Sequence, residues 1–284
     1  MGIGARDFFW YLNDVIIPYL IKLKRYIMIL QEQVQILQNK QIASGYYHLV
    51  VRSETIARNC RPGQFANIRI SDSLDPLLRR PLSFFNYSTE TIEFVYRVVG
   101  YGTSLLTEKL VNDTLDIIGP LGNGFNLDIK KEGKVLVVGG GMGIIPLYPL
   151  IKNLAQNGFV LEVLNGARNH DELLLLDYFR KDSIPYSVTT DDGSAGEKSY
   201  VTSILAERLA EEKIDCVFGC GPHPMLAAVA KIMKETDIPC QLSLEERMAC
   251  GVGACLGCVV LMNDGSYKKV CKDGPVFLSN LIAF

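Results

Sequence analysis

KVLVVGGGMGIIPLYPLIKNLAQNG, residues 134–158, decides how this chain folds. Its first half is an unbroken apolar run that ends in glycines, as a strand buried on both faces would. Its second half carries apolar residues at helical spacing and stops at Asn157-Gly158. Strand, glycine turn and helix in that order begin a βα unit. The alternation continues downstream. FVLEVLNGAR (159–168), PYSVTTDDG (185–193) and IDCVFGCGP (214–222) read as strands. DELLLLDYFRK (171–181), VTSILAERLAEE (201–212) and HPMLAAVAKIMKE (223–235) read as helices. Such regular alternation predicts a doubly wound parallel sheet, expected over residues 129–238.

Upstream the texture differs. YYHLVVRS, QFANIRIS, PLSFFNYS, TIEFVYRVV and DTLDIIGPLG are short β-branched and aromatic runs punctuated by Gly and Pro. They predict a small antiparallel β-barrel over residues 41–128. Residues 1–40 read as a loosely helical N-terminal extension with no assigned role. Its longest apolar run, VIIPYLI (15–21), is far shorter than the ~20 residues that cross a bilayer. Residues 239–284 form a Cys-rich segment with little apolar material of its own. The whole is a multi-domain β plus α/β chain.

Composition narrows the function classes. Hydrophobic residues make up 48% of the chain, and the formal net charge is −2. No basic field exists to hold nucleic acid. A 284-residue chain has no need of disulfide staples for its eight cysteines. A reducing cytoplasm is therefore expected, with the clustered thiols pointing to metal.

Four of those thiols have a telling spacing: Cys250-x4-Cys255-x2-Cys258-x12-Cys271. C-x4-C-x2-C with a later Cys is the plant-type [2Fe–2S] pattern. Gly251, Gly253 and Gly257 let the loop curl, with N–H groups turned toward sulfur. A structural zinc site is the rival, but zinc favours paired short knuckles, and only one short spacing is present.

A [2Fe–2S] centre moves single electrons, so a two-electron partner is expected. RRPLSFF (79–85) offers an Arg, a Pro and a Ser at a strand end, suited to a diphosphate or flavin edge. YRVVGYGTS (96–104) adds a second Arg and bare backbone at Gly102-Thr103. The glycine turn at Gly139, Gly141 and Gly143 would rest a dinucleotide pyrophosphate on a helix start. It departs from the Rossmann fingerprint, since Ile144 stands at the third glycine position and no acid ends LEVLNGAR. FGCGPHPM (218–225) is a second strand–loop–helix junction, which places Cys220 and Gly221 toward a nicotinamide; Cys220 is equally readable as a small residue at a crowded turn. Asp191-Asp192 reads as a loop within reach of a ribose. His48, His170 and His223 have no partners in motif, and no acid–base pair stands out.

Taken together, RRPLS, YRVVGYGT, GPLGNGF, GGGMGIIPLY, TTDDGS, CGPHPML and ERMACGVGAC…YKKVCKDGPVF resemble the electron-transfer subunits of dihydroorotate dehydrogenase B. The wider relatives are the ferredoxin–NADP reductase type flavoproteins. The likeness runs from about residue 41 to the C-terminus. It implies a FAD-binding barrel, a NAD-binding domain and a C-terminal [2Fe–2S] domain. It also implies assembly with a separate FMN-containing catalytic subunit, as a heterotetramer, in pyrimidine biosynthesis. By that resemblance Arg80, Pro81, Leu82, Ser83, Val95, Tyr96 and Arg97 line FAD. Gly102 and Thr103 take its pyrophosphate, and Cys250, Cys255, Cys258 and Cys271 hold the cluster. The family commonly has an aromatic where Leu82 stands. Three other readings remain: the small subunit of an NADH-dependent ferredoxin–NADP oxidoreductase, whose first ligand is usually Asp where this chain has Cys250; a ring-hydroxylating oxygenase reductase, whose fourth Cys normally lies much further on than the x12 found here; and a zinc-stabilised nucleotide-binding adaptor without redox turnover.

Overall fold

The computed structural model describes residues 29–284. The first unit is a seven-stranded antiparallel sheet in the order β4-β3-β7-β1-β2-β6-β5. Its strands are β1 (Leu30–Ala43), β2 (Tyr46–Arg52), β3 (Phe65–Arg69), β4 (Arg80–Ser83), β5 (Asn86–Tyr87), β6 (Thr91–Arg97) and β7 (Thr114–Leu121). Two short helices, α1 (Glu54–Ala57) and α2 (Tyr101–Thr107), fill the connections.

The expected extension through residue 40 is corrected here. β1 begins at Leu30 and lies at the centre of the sheet, paired with β7 over Leu30–Gln35 and with β2 over Gln35–Ala43. Its polar sequence, LQEQVQILQNKQIA, hides a period of two: Val34 and Ile36 are buried, while Gln31 and Gln33 are exposed and Gln35 is half-buried. A barrel starting at residue 41 would have lacked this central strand. Residues 1–28, the remainder of that extension, lie outside the described residues.

The second sheet runs β10-β9-β8-β11-β12-β15. Strands β8 (Lys134–Gly140), β9 (Val160–Ala167), β10 (Tyr186–Thr190), β11 (Ile214–Cys220) and β12 (Cys240–Ser243) are mutually parallel. Helices α3 (Ile144–Gln156), α4 (Leu176–Lys181), α5 (Val201–Glu211) and α6 (His223–Met233) make the crossovers. The strand order reverses between β8 and β11, so the crevice at their carboxyl ends is where such a sheet binds ligands. The helix expected over 171–181 is shorter. A single 3₁₀ turn at His170–Glu172 precedes α4, because Leu173 and Leu175 both plunge into the core and the run has no polar face to present.

The boundary expected at residue 239 is also redrawn. β12 is the fifth parallel strand of the nucleotide sheet, and β15 (Val276–Leu278) closes its edge antiparallel. The Cys-rich segment therefore grows out of that edge, with a small hairpin of β13 (Val259–Leu261) and β14 (Tyr267–Lys269). Its few apolar residues, Met262, Val270, Phe277 and Ile282, bury in one core with Leu226 of α6 and Leu242 of β12. Shared burial explains how so polar a segment stays folded.

Arg79 and Asp116 form a nearly buried ion pair at 2.7 Å, joined by Gln31. Arg79 Nη1 also donates to the Asp116 carbonyl at 2.8 Å. Removing the acid strands a guanidinium among strands β3, β4 and β7. Asp116→Ala is expected to cost about 3 kcal/mol in urea unfolding. A loss below about 0.5 kcal/mol would show that water already satisfies Arg79.

Candidate functional site

The loop at 250–258 curls because three residues take left-handed backbone: Gly251 (φ 71°), Gly253 (φ 83°) and Leu256 (φ 59°). This turns its amides inward. Gly253 N–H donates to Cys271 Sγ at 3.1 Å, and Ala254 and Cys255 donate to Cys250 Sγ at 3.3 and 3.4 Å. Cys271 N–H donates to Cys258 Sγ at 3.4 Å. Cys258 and Cys271 are buried, Cys250 is half-buried and Cys255 is exposed.

Desolvation opposes ionisation of Cys250, but the converging amides of Val252, Cys255 and Ala254 overcome it and bring the thiol down to about 6. Burial and the neighbouring Cys258 push Cys271 up to about 12. Among the described residues no three His, Cys, Asp or Glu side chains close on one point as a single ion requires. A two-iron centre asks less, because its four thiolates divide between two irons. Amides aimed at sulfur and two buried thiols at the base of an open loop fit such a centre.

The loop rests on the barrel. Asn67 of β3, fully buried, points its Nδ2 at the Ala249 carbonyl at 3.5 Å. A Cβ on Gly251 would come within 2.7 Å of that nitrogen, so only glycine lets the loop lie this close. The GPLGNGF turn supplies a second anchor: Asn123 Nδ2 donates to the Lys272 and Asp273 carbonyls at 3.0 and 3.1 Å. Neither Asn67 nor Asn123 was singled out from sequence. Each acts on a segment far along the chain, and a single buried Asn carries no local signal.

β4, which holds Arg80–Ser83, pairs directly with β3, with Pro81 opposite Asn67. The two adjacent arginines have different fates. Arg79 is spent on Asp116, whereas Arg80 lies over Gly102, where any Cβ would overlap its guanidinium. Two separate motifs thus meet. Gly102 and Thr103 sit in the first turn of α2, whose leading N–H groups have no helical acceptor. The Thr103 hydroxyl is committed to that turn, accepting from Val99 and Gly100 amides at 3.0 and 3.2 Å. Its backbone is what remains for a ligand.

Along β6 the side chains alternate. Val95 packs toward the nucleotide domain, while Tyr96 is buried in the barrel core, where its hydroxyl bonds Asn39 at 3.0 Å. Only the main chain of Tyr96 is left to meet a cofactor. β5 pairs with β6 only at Ile92 and Glu93, so the β6 edge beyond is open among the described residues. Leu82 is half-buried against the barrel core and offers no aromatic face.

A cleft of about 1120 Å³ opens at the carboxyl ends of β8, β9 and β11. Gly141, Gly143 and Gly221 line it, with Arg97 and Tyr46 on the barrel side. Gly141 has φ 52° and open space above its Cα. Gly143 packs against the Cys220 carbonyl, a contact that any side chain would forbid. Gly139 and Cys220 are not in the lining. Gly139 is covered by Ile144, and Cys220 is buried behind the turn. Desolvation first, then the nearby Glu245 carboxylate, raise the Cys220 thiol well above the usual range. Glu245 is reached by solvent inside the cleft yet ringed by protein, and this desolvation raises its carboxyl.

Of the three histidines only His223 lines the cleft. His48 is held between Gln38 and Glu93, His170 is exposed beside Asp171, and the His223 ring stacks edgewise on Phe284 at the cleft rim.

Comparison with known proteins matches these parts to families. Residues 245–283 match the iron–sulfur cluster binding domain of dihydroorotate dehydrogenase B, and residues 137–231 match the oxidoreductase NAD-binding domain. The chain is 40% identical over 255 residues to the electron transfer subunit of dihydroorotate dehydrogenase B (NAD(+)) of Geobacillus sp. (strain WCH70), covering 88% of this chain and 97% of that one. It is 40% identical over 262 residues to the corresponding subunit of Lysinibacillus sphaericus (strain C3-41), covering 90% and 100%. Among solved structures, a chain of the NADH-dependent reduced ferredoxin-NADP oxidoreductase aligns with TM-score 0.78 and 34% identity over 88% of this chain and 89% of that one. A ferredoxin NADP+ reductase from Neisseria gonorrhoeae with bound FAD and NADP aligns with TM-score 0.62 at 15% identity, over 76% and 94%, a likeness of fold alone.

Proposed function

We propose, because this chain belongs to the family of electron-transfer subunits of dihydroorotate dehydrogenase B (NAD(+)), that it carries electrons taken from dihydroorotate on a partner chain to NAD⁺. A [2Fe–2S] cluster supplies single-electron transfer when bound, and FAD joins two such steps into a hydride transfer. The observation that carries this reading is the seat of the thiol loop on Asn67, directly opposite Pro81 in the strand proposed to hold FAD.

The roles of the chain's own groups follow. Cys250, Cys255, Cys258 and Cys271 hold the cluster, and the inward amides stabilise its added negative charge. Arg80 and the bare backbone at Gly102 and Thr103 hold the FAD pyrophosphate. The open edge of β6, from Val95 to Arg97, offers main-chain groups to the polar rim of the flavin, beside Pro81, Leu82 and Ser83. Gly141, Gly143 and Gly221 let the acceptor dinucleotide approach the sheet edge. Gly139 and Cys220 support that turn from behind. No side chain is asked to act as acid or base.

The partner is a catalytic chain carrying FMN, in a heterotetramer. The exposed tip of the thiol loop, with Val252 and Leu256 outward, suits burial against it. A cytoplasmic setting agrees with eight cysteines free of disulfides. Among the described residues no helix is long and apolar enough to cross a membrane.

The test is co-purification with an FMN-containing dihydroorotate dehydrogenase chain, followed by dihydroorotate-dependent reduction of NAD⁺. No NADH from the fully loaded pair ends the reading. A second reading, the small subunit of a ferredoxin–NADP oxidoreductase, is favoured by the 34% identity to such a chain. Reduced ferredoxin replacing dihydroorotate in the same assay separates the two.

A further inference from the structure

The sequence shows no acid at the end of β9, where a dinucleotide-binding sheet places the group that reads the ribose 2′ position. Such sheets use Asp or Glu to accept from a 2′-hydroxyl, or an Arg to take a 2′-phosphate. Here the residue after β9 is Arg168, which lines the cleft and is largely exposed. By residue type alone it would favour the phosphate.

The fold cancels that charge. The 3₁₀ turn His170–Glu172 brings Glu172 back onto Arg168. Arg168 Nε donates to Glu172 Oε1 and Oε2 at 3.1 and 3.0 Å, and Nη2 donates to Oε1 as well. Glu172 is itself nearly buried and also lines the cleft. Arg97 and Arg168 both hold its carboxyl below the ordinary range, the Arg168 hydrogen bond most strongly.

A second acid arrives from the next strand. Asp191 N–H donates to the Ala167 carbonyl at 3.0 Å, and Asp192 N–H to the Arg168 carbonyl at 3.2 Å. His170 N–H donates to Ser194 Oγ, which in turn bonds Asp192. The two loops interlock, and Asp191 enters the same wall of the cleft.

We infer that Glu172, by occupying Arg168 beside Asp191, makes this corner select a nucleotide with a free ribose 2′-hydroxyl and reject one with a 2′-phosphate. This rests on the proposed acceptor cleft. A 2′-hydroxyl can donate to Asp191, whereas a 2′-phosphate meets a guanidinium already occupied by Glu172, with the Asp191 carboxylate beside it. Glu172 and Arg168 act on which nucleotide is bound, not on hydride transfer.

The experiment titrates NAD⁺, NADP⁺, 5′-AMP and 2′,5′-ADP into the FAD- and cluster-loaded complex by calorimetry. It uses wild type, Glu172→Ala, Glu172→Gln and the double variant Glu172→Ala/Arg168→Ala. Wild type should bind 5′-AMP better than 2′,5′-ADP. Glu172→Ala should move that ratio about tenfold toward 2′,5′-ADP, the size of one charge-assisted hydrogen bond. The gain should shrink as salt rises and vanish in the double variant. Glu172→Gln, which removes only the charge, should move the ratio the same way and guards against misfolding of the alanine variant. FAD and iron contents equal to wild type establish that each variant is intact. An unchanged ratio in both single variants overturns the inference, as does a gain that survives loss of Arg168. Failure of wild type to bind any of the four nucleotides instead removes the cleft reading itself, and this inference with it.

Discussion

Cys271→Ser should yield a folded, FAD-binding protein that has lost its iron and sulfide. Cys271 is buried, its Sγ accepts the Gly253 amide, and its own amide donates to Cys258. It is the proposed ligand that comes from outside the loop, so it closes the site against the other three. A serine hydroxyl is a poor substitute for a soft thiolate. Iron should fall at least about tenfold from roughly two atoms per chain, with loss of the long-wavelength visible absorption. The fold should survive, because Met262, Val270 and Phe277 anchor the segment in the core of the nucleotide sheet. Full iron and sulfide in purified Cys271→Ser would remove it from the ligand set. A stoichiometric zinc content in wild type would overturn the two-iron reading altogether.

Arg80→Ala should weaken FAD binding by about 10- to 100-fold, the range expected when a charge-assisted contact to a phosphate is lost. The measurement is release of FAD fluorescence on dilution. The neighbouring Arg79 provides the contrast. Its guanidinium is bound to Asp116 and to main-chain carbonyls, so Arg79→Ala should lower stability and affect FAD only through the fold. If Arg80→Ala retains flavin as tightly as wild type, the contact over Gly102 is only packing, and the pyrophosphate lies elsewhere.

Those two arginines show where sequence reading reaches its limit. RRPLS presents them as equals, and nothing nearby says which is paired with a carboxylate. The choice is made by Asp116, thirty-seven positions away. β1 shows the same limit in another form. Its glutamines obscure an alternation that becomes plain only once β7 and β2 flank it. Composition changes at residue 239, and by that alone a domain break is expected there. The structure instead continues the parallel sheet through Cys240–Ser243, since a short strand with sheet neighbours on both sides does not need a long apolar run.

What was legible from residues alone is what local physics controls. Strand–helix alternation fixes a parallel sheet because each segment's hydrophobic period is local. Cysteine spacing within a single loop announces the thiol centre because ligands so close in sequence can hardly avoid meeting. The tertiary structure alone decided which groups from distant segments share a site: Arg80 over Gly102, Asn67 under Gly251 and Glu172 closed onto Arg168 with Asp191 beside it. Asn67 and Ala249 are 182 positions apart, and their contact exists only because a barrel strand and a sheet edge pack together. Periodicity and spacing describe neighbours along the chain; charge cancellation and close backbone approach belong to neighbours in space.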